Sequence, residues 1–268
     1  MDAEPANQNW LEVEYEEVFD NRPNLWYYGK GNWFELKYNI VNEYEIHHNE
    51  KIYKTIVKNA KKGKYIYIDK QNKKHDLGTY DFKSVKNNYG ANYGEKTVNL
   101  VDFRKIKNYS KGGVKFSISI NTSRYYMNEL TLASLFGAML KCGYEDFTFN
   151  GFSDSLGRSV GGSKTHKNGF NGDLRYLRKD KTGGRLRLDY NKKSDKSDVE
   201  GWKELDEDRQ NKFNDSLYIY GWKSLVSQKY GEKKDRLLNH CKEDKKYKKH
   251  YDHLHVQGYD KNFIKKKK

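Results

Sequence analysis

Three of the eight histidines fall within one short stretch near the C-terminal end, His250-Tyr251-Asp252-His253-Leu254-His255-Val256. In a strand, residues two apart share a face. His253 and His255 would therefore present two imidazoles side by side, with His250 where the chain enters. Neutral imidazole is the commonest metal ligand among side chains. Zinc takes three or four N, O or S donors, and keeps one position open where it is catalytic. The remaining ligands are expected in Ser163-Lys164-Thr165-His166-Lys167-Asn168-Gly169-Phe170-Asn171-Gly172-Asp173, where a histidine and a carboxylate stand seven apart. Gly169 and Gly172 let this loop take positive φ and fold back tightly, so that a turn aims both side chains at one ion.

The pattern HxxGxxxD followed far downstream by HxxHxH resembles the LAS metallopeptidases, the family of lysostaphin, D-alanyl-D-alanine peptidases and the sonic hedgehog signalling domain. The closer branch is that of the penicillin-insensitive murein endopeptidases, which also carry a His three residues before the HxH pair. The resemblance implies a zinc enzyme that cuts peptide bonds in bacterial cell-wall peptides. Its metal ligands would be His166, Asp173 and His255, with the fourth tetrahedral position left for water. Some branches have Glu where His250 stands, which makes His250 the candidate general base and acid. His253 would hydrogen-bond the water or stabilise the developing oxyanion, while Asp252 either orients a ring or is solvated. The D-alanyl-D-alanine peptidases often have SxH, and Ala two residues before the Asp. Here Ser163 is three before His166, Thr165 immediately precedes it, and Asn171 replaces the Ala. These departures favour the endopeptidase branch over the carboxypeptidase branch. Arg158 is a candidate to bind a substrate carboxylate through its planar fork. Ser163 is a candidate substrate contact, although Ser155, Ser159 and Ser163 read most economically as loop residues. Tyr176 and Trp222 fit core packing better than a cleft wall.

The 268 residues suffice for one large or two modest domains. Hydrophobic residues make up only 35%, but aromatic content is 15% with 23 Tyr, which places the chain among folded proteins with a ring-rich core. The charge of +15, from 52 Lys+Arg against 37 Asp+Glu, favours an anionic cell-wall polymer, nucleic acid or an acidic membrane. An AT-rich coding bias towards Lys, Asn, Tyr and Ile would give the same charge without selection for binding. Cys142 and Cys241 are too few for a thiolate cage, and a single bridge between them stays open. No apolar run reaches transmembrane length, and Met1-Asp2-Ala3-Glu4-Pro5 has no secretory-signal character. A wall enzyme of this kind would be made in the cytoplasm and act in the periplasm or wall after lysis or injection, with delivery machinery or an immunity protein as partners.

The sequence predicts an α+β fold, with a small antiparallel sheet and flanking helices in residues 112–268 as the LAS resemblance implies, preceded by a β-rich region over 1–111. Trp33-Phe34-Glu35-Leu36-Lys37-Tyr38 and Tyr65-Ile66-Tyr67-Ile68 read as strands, Lys61-Lys62-Gly63-Lys64 as a turn and Asn87–Gly94 as a loop. His47, His48 and His75 read as surface or hairpin residues. After Lys111-Gly112-Gly113, Val114–Ile120 alternates as a half-buried strand. Leucines and aromatics from Asn128 to Leu140 fall at helical spacing, with Gly143 as the closing residue. Phe147–Asn150 and Arg185–Tyr190 are further strands, Asn191–Asp198 is a polar loop, and helices are expected over Val199–Asn214 and Trp222–Cys241. The functional expectation is a zinc peptidoglycan peptidase. The alternatives are a nucleic-acid-binding protein or metal nuclease, and a catalytically inactive zinc-binding LAS-like module.

Overall fold

A computed structural model describes residues 40–89, 94–161, 163–189, 200–246 and 248–267, together with the backbone of 25–29 and 32–36. The architecture is α+β and rich in strands, with two α-helices among the described residues. The six strands of the sheet that carries the histidines are Ile118–Ile120 (β1), Phe147–Gly151 (β2), Gly172–Leu174 (β3), Trp222–Ser227 (β4), Cys241–Glu243 (β5) and Leu254–Tyr259 (β6). Their order across the sheet is β1-β2-β3-β6-β4-β5. The inner pairs β2/β3, β3/β6 and β6/β4 are antiparallel, and both outer pairs are parallel.

Helix α1, Glu129–Cys142, begins where the Asn128 side chain accepts from the Leu130 N–H, and ends at Gly143 with φ 69°. Both ends are thus closed by residues suited to them. Nearly every residue of α1 is buried, which marks a central helix rather than a surface one. It packs against a second, five-stranded sheet that includes Val41–His47, Ile52–Thr55, Lys62–Ile68 and Lys74–Asp81. The rings of Tyr44 and Tyr65 stack at 4.7 Å in that sheet. The Tyr44 hydroxyl donates to Glu129 Oε2 at 2.5 Å, and the Tyr65 hydroxyl donates to the Glu129 carbonyl at 3.2 Å. The tyrosine-rich core therefore satisfies its hydroxyls at the start of α1, as buried polar groups require. Its fifth strand, Lys265–Lys266, comes from the C-terminal end and runs parallel to Ile52–Thr55. The division expected at Lys111/Gly112 lies in the hairpin turn between Tyr109–Lys111 and Val114–Phe116. Buried residues on its two sides belong to one hydrophobic cluster.

Several local expectations need correction. Trp222–Cys241 is not a helix: Trp222–Ser227 is β4, Cys241–Glu243 is β5, and Gly231 turns between them with φ 91°. The slot between β6 and the edge gives both segments ladder partners and buries Trp222 and Leu225 completely, so pairing overrides local helical spacing. Helix α2 is Glu207–Ile219, displaced from Val199–Asn214 because Asp206 supplies the cap by accepting from the Arg209 N–H. Val114–Ile120 splits into two three-residue strands in different sheets, and of the expected strand Arg185–Tyr190 only Leu186–Arg187 is strand among the described residues. Lys61–Lys64 is not a turn, since the strand already runs from Lys62. His75 is buried, with Nε2 2.7 Å from Asp69 Oδ2 and Nδ1 3.0 Å from the Tyr109 hydroxyl. Cys142 and Cys241 are free thiols, facing Ser216 and Asn214 of α2 respectively. Lys37, Tyr38, Tyr190 and Asn191–Asp198 lie outside the described residues.

Candidate metal centre

The register of β3 and β6 builds the centre. Asp173 lies directly opposite His255, and directly opposed residues of an antiparallel pair hold their Cβ atoms about 5 Å apart on one face. His255 Nδ1 accordingly lies 2.8 Å from Asp173 Oδ1. His166 reaches the same point from the preceding loop, with Nε2 3.3 Å from His255 Nδ1 and 3.2 Å from Asp173 Oδ1. The imidazoles of His166 and His255 stack at 5.1 Å. All three residues are buried, and their ligating atoms converge as a group able to hold a metal ion.

The loop that delivers His166 is held by close approach. Gly169 has φ 65°, and a Cβ there would lie 2.6 Å from the Asn128 nitrogen, so this glycine meets both a conformational and a steric need. Gly172 does not take positive φ. Its requirement is space, because a Cβ would sit 2.3 Å from the Phe152 ring. Asn168, at φ 56°, donates from Nδ2 to Asn87 Oδ1 at 2.8 Å and accepts from the Asn88 N–H at 3.0 Å. Ser159 Oγ accepts from the His166 N–H at 3.1 Å and donates to the Ser163 carbonyl at 2.9 Å. Ser163 thus shapes the loop. Arg158 is exposed and paired with Asp154 at 2.7 Å. Tyr176 and Trp222 are core residues.

Proton placement on His166 would be set by a bound ion. A metal at the cluster would take the Nε2 lone pair, which lies 3.2 Å from Asp173 Oδ1, and leave the proton on Nδ1 for the Phe152 carbonyl at 3.0 Å. Arg124 Nη1 also stands 3.0 Å from Nδ1. Its guanidinium donates to the Asn150 carbonyl at 3.3 Å and to Asp173 Oδ2 at 3.2 Å. Asp173 therefore has its outer oxygen engaged by Arg124 and its inner oxygen turned to the imidazoles. Burial alone would raise the Asp173 pKa, but the imidazoles of His166, His255 and His253 hold it well below the usual carboxylate range. Burial lowers the His166 pKa against the opposing pull of Asp173, which favours a neutral ring.

His250 and His253 form a second layer. Each has Nδ1 on a carboxylate: His250 on Asp244 Oδ2 at 2.9 Å, and His253 on Asp252 Oδ1 at 2.8 Å. Asp252 thus orients a ring, and is itself held by Arg185 at 2.5 Å. His253 Nε2 points at Asp173 Oδ1 from 3.5 Å. The His250 ring lies 5.1 Å from those of both His253 and His255. Their environments push the two apart. Burial and the neighbouring imidazoles lower the His250 pKa. Burial would also lower that of His253, but Asp252 and Asp173 outweigh it and raise the value. Such opposed shifts in adjacent titratable groups are a feature of acid/base sites.

The cluster opens onto a cleft of about 610 Å³ lined by residues that include Arg124, Asp173, Arg175, Arg185, Lys249 and His253. Sequence reasoning missed Arg124, since no spacing relates it to either histidine motif. The one local signal is Gly151, opposite Asp173 at a bulge, where a Cβ would come within 2.7 Å of Arg124 Nε. Comparison of the chain with protein-family models, with curated proteins and with solved structures gives no match.

Proposed function

We propose that the protein is a zinc-dependent peptidoglycan peptidase, an endopeptidase acting on cross-link or stem peptides. The observation that carries this reading is the buried convergence of His166 Nε2, Asp173 Oδ1 and His255 Nδ1 at separations of 2.8 to 3.3 Å beside an open cleft. Donors about 2.1 Å from one ion at tetrahedral angles stand about 3.4 Å apart, so small shifts would admit zinc. Two imidazoles and one carboxylate with room for a fourth ligand are the donor set of hydrolytic rather than purely structural zinc. The segments that supply them are those whose pattern resembles the LAS metallopeptidases.

Zinc held there would polarise a scissile carbonyl and acidify a water to a pKa of about 7. His250, with Nδ1–H donated to Asp244 and its ring packed on those of His253 and His255, would take a proton on Nε2 and return it towards the cleft that His253 lines. His253, held by Asp252, directs Nε2 to the same point, and with the Arg124 guanidinium it would stabilise negative charge as it develops on the carbonyl oxygen. Mass spectrometry of purified muropeptides tests the reading. Wild type should release cleaved peptides, with loss of release in a chelator and in His166→Ala. Digestion by His166→Ala at the wild-type rate would refute it.

A further inference from the structure

The cleft beside the cluster carries more positive charge than its own carboxylates engage. Of its cations, Arg124 pairs with Asp173 and Arg185 with Asp252. Arg175 and Lys249 have no carboxylate within ion-pairing distance among the described residues, although both line the same wall. Arg175 is the informative one. Its Nη1 donates to the Gly183 carbonyl at 3.2 Å, while its Nε is buried with no hydrogen-bond partner. Asn150 Oδ1, on another lining side chain, is also buried without a partner. A half-buried guanidinium lacking a counter-ion, beside an unmatched acceptor, leaves costly polar groups unsatisfied. A ligand's acidic group would meet Arg175 where that side chain lines the cleft, and a turn of the Asn150 amide would bring its buried Oδ1 to an adjacent N–H.

We propose that this wall is an acidic-residue subsite, in which Arg175, supported by Lys249, takes a carboxylate of the peptide while Asn150 accepts a nearby amide N–H. The proposal rests on the peptidase reading and names the chemistry of the substrate that the site selects. Arg175 follows β3 two residues after Asp173, and its N–H still bonds to the Thr148 carbonyl of β2. Two residues of strand span about 7 Å, so the carboxylate would lie within about two residues of the bond being cut. A guanidinium fork suits a planar carboxylate, and the paired need for an N–H favours an acidic residue within a peptide over a bare phosphate.

Calorimetry on the full zinc-loaded chain tests this with three probes: a peptidoglycan stem pentapeptide, the same peptide with every carboxylate amidated, and inorganic phosphate. Wild type should bind the free acid at least tenfold more tightly than the amide, and phosphate should not displace it. The preference should fall to near unity in Arg175→Ala and survive in part in Arg175→Lys, with circular dichroism confirming that both variants fold. Should Arg175→Ala fail to fold, Lys249→Ala on the exposed rim should still reduce the preference. Equal binding of acid and amide, binding of neither, displacement by phosphate, or a preference untouched in the variants would overturn the subsite. Acid-selective binding without cleavage would contradict the peptidase reading alone, and cleavage without acid preference would contradict the subsite alone.

Discussion

His250 gains its meaning from Asp244. The imidazole is not on the cleft wall, yet its Nδ1 lies 2.9 Å from a buried carboxylate and its ring touches those of His253 and His255. Removing the anchor should leave the ring in place but misoriented. Asp244→Asn is expected to lower kcat for muropeptide cleavage about 10- to 100-fold with little change in KM, the usual cost of losing a carboxylate behind a functional imidazole. Unchanged kcat would remove His250 from proton transfer. At this scale the sequence was most informative: loop spacing paired His166 with Asp173 and strand alternation set His253 beside His255, while the choice of His166, Asp173 and His255 as one ligand set came from the family resemblance. Arg124, Asp244 and Arg175 were not legible in that way. Their roles depend on which strands become neighbours, and a lone Arg or Asp carries no sign of its partner across the fold.

Elements position these groups through backbone contacts that tolerate little. Gly172 opens β3 one residue before Asp173, with the Phe152 ring where a Cβ would be. Gly172→Ala should therefore destabilise the protein by about 1–3 kcal/mol through overpacking, read as a lower urea midpoint at constant slope. Gly172→Ala combined with Phe152→Leu should recover part of the loss, and the absence of recovery would contradict the steric account. Helix α1 was legible in its span, since helical spacing runs on from Asn128 and Gly143 is a local signal for its end. Strand β4 was not, because Trp222–Ser227 is decided by partners at Val256 and Cys241 rather than by its own pattern.

On the scale of the whole molecule, one hydrophobic cluster joins the tyrosine-rich sheet, α1 and the sheet of the histidines. Acid should loosen it partly through Asp69. That carboxylate accepts from His75 and from the N–H groups of Gln71 and Lys73, which hold its pKa below the ordinary value. A carboxyl with a depressed folded-state pKa adds stability above its unfolded pKa of about 3.9 and loses it as pH falls through the folded value. The stability gap between wild type and Asp69→Asn should therefore be constant above about pH 5 and close below about pH 4. A gap that widens in acid would contradict this assignment. The described residues contain no helix long and apolar enough to cross a membrane. Composition foretold the aromatic core, but not that the C-terminal strand would return to the edge of the tyrosine-rich sheet.

The centre itself is tested most directly by metal content. After loading with excess zinc and desalting, elemental analysis of the wild type should find about one ion per chain, and Asp173→Ala and His255→Ala should retain almost none while keeping the wild-type circular dichroism. A wild type that holds no ion, or a folded His255→Ala that holds a full complement, would contradict a site built from His166, Asp173 and His255.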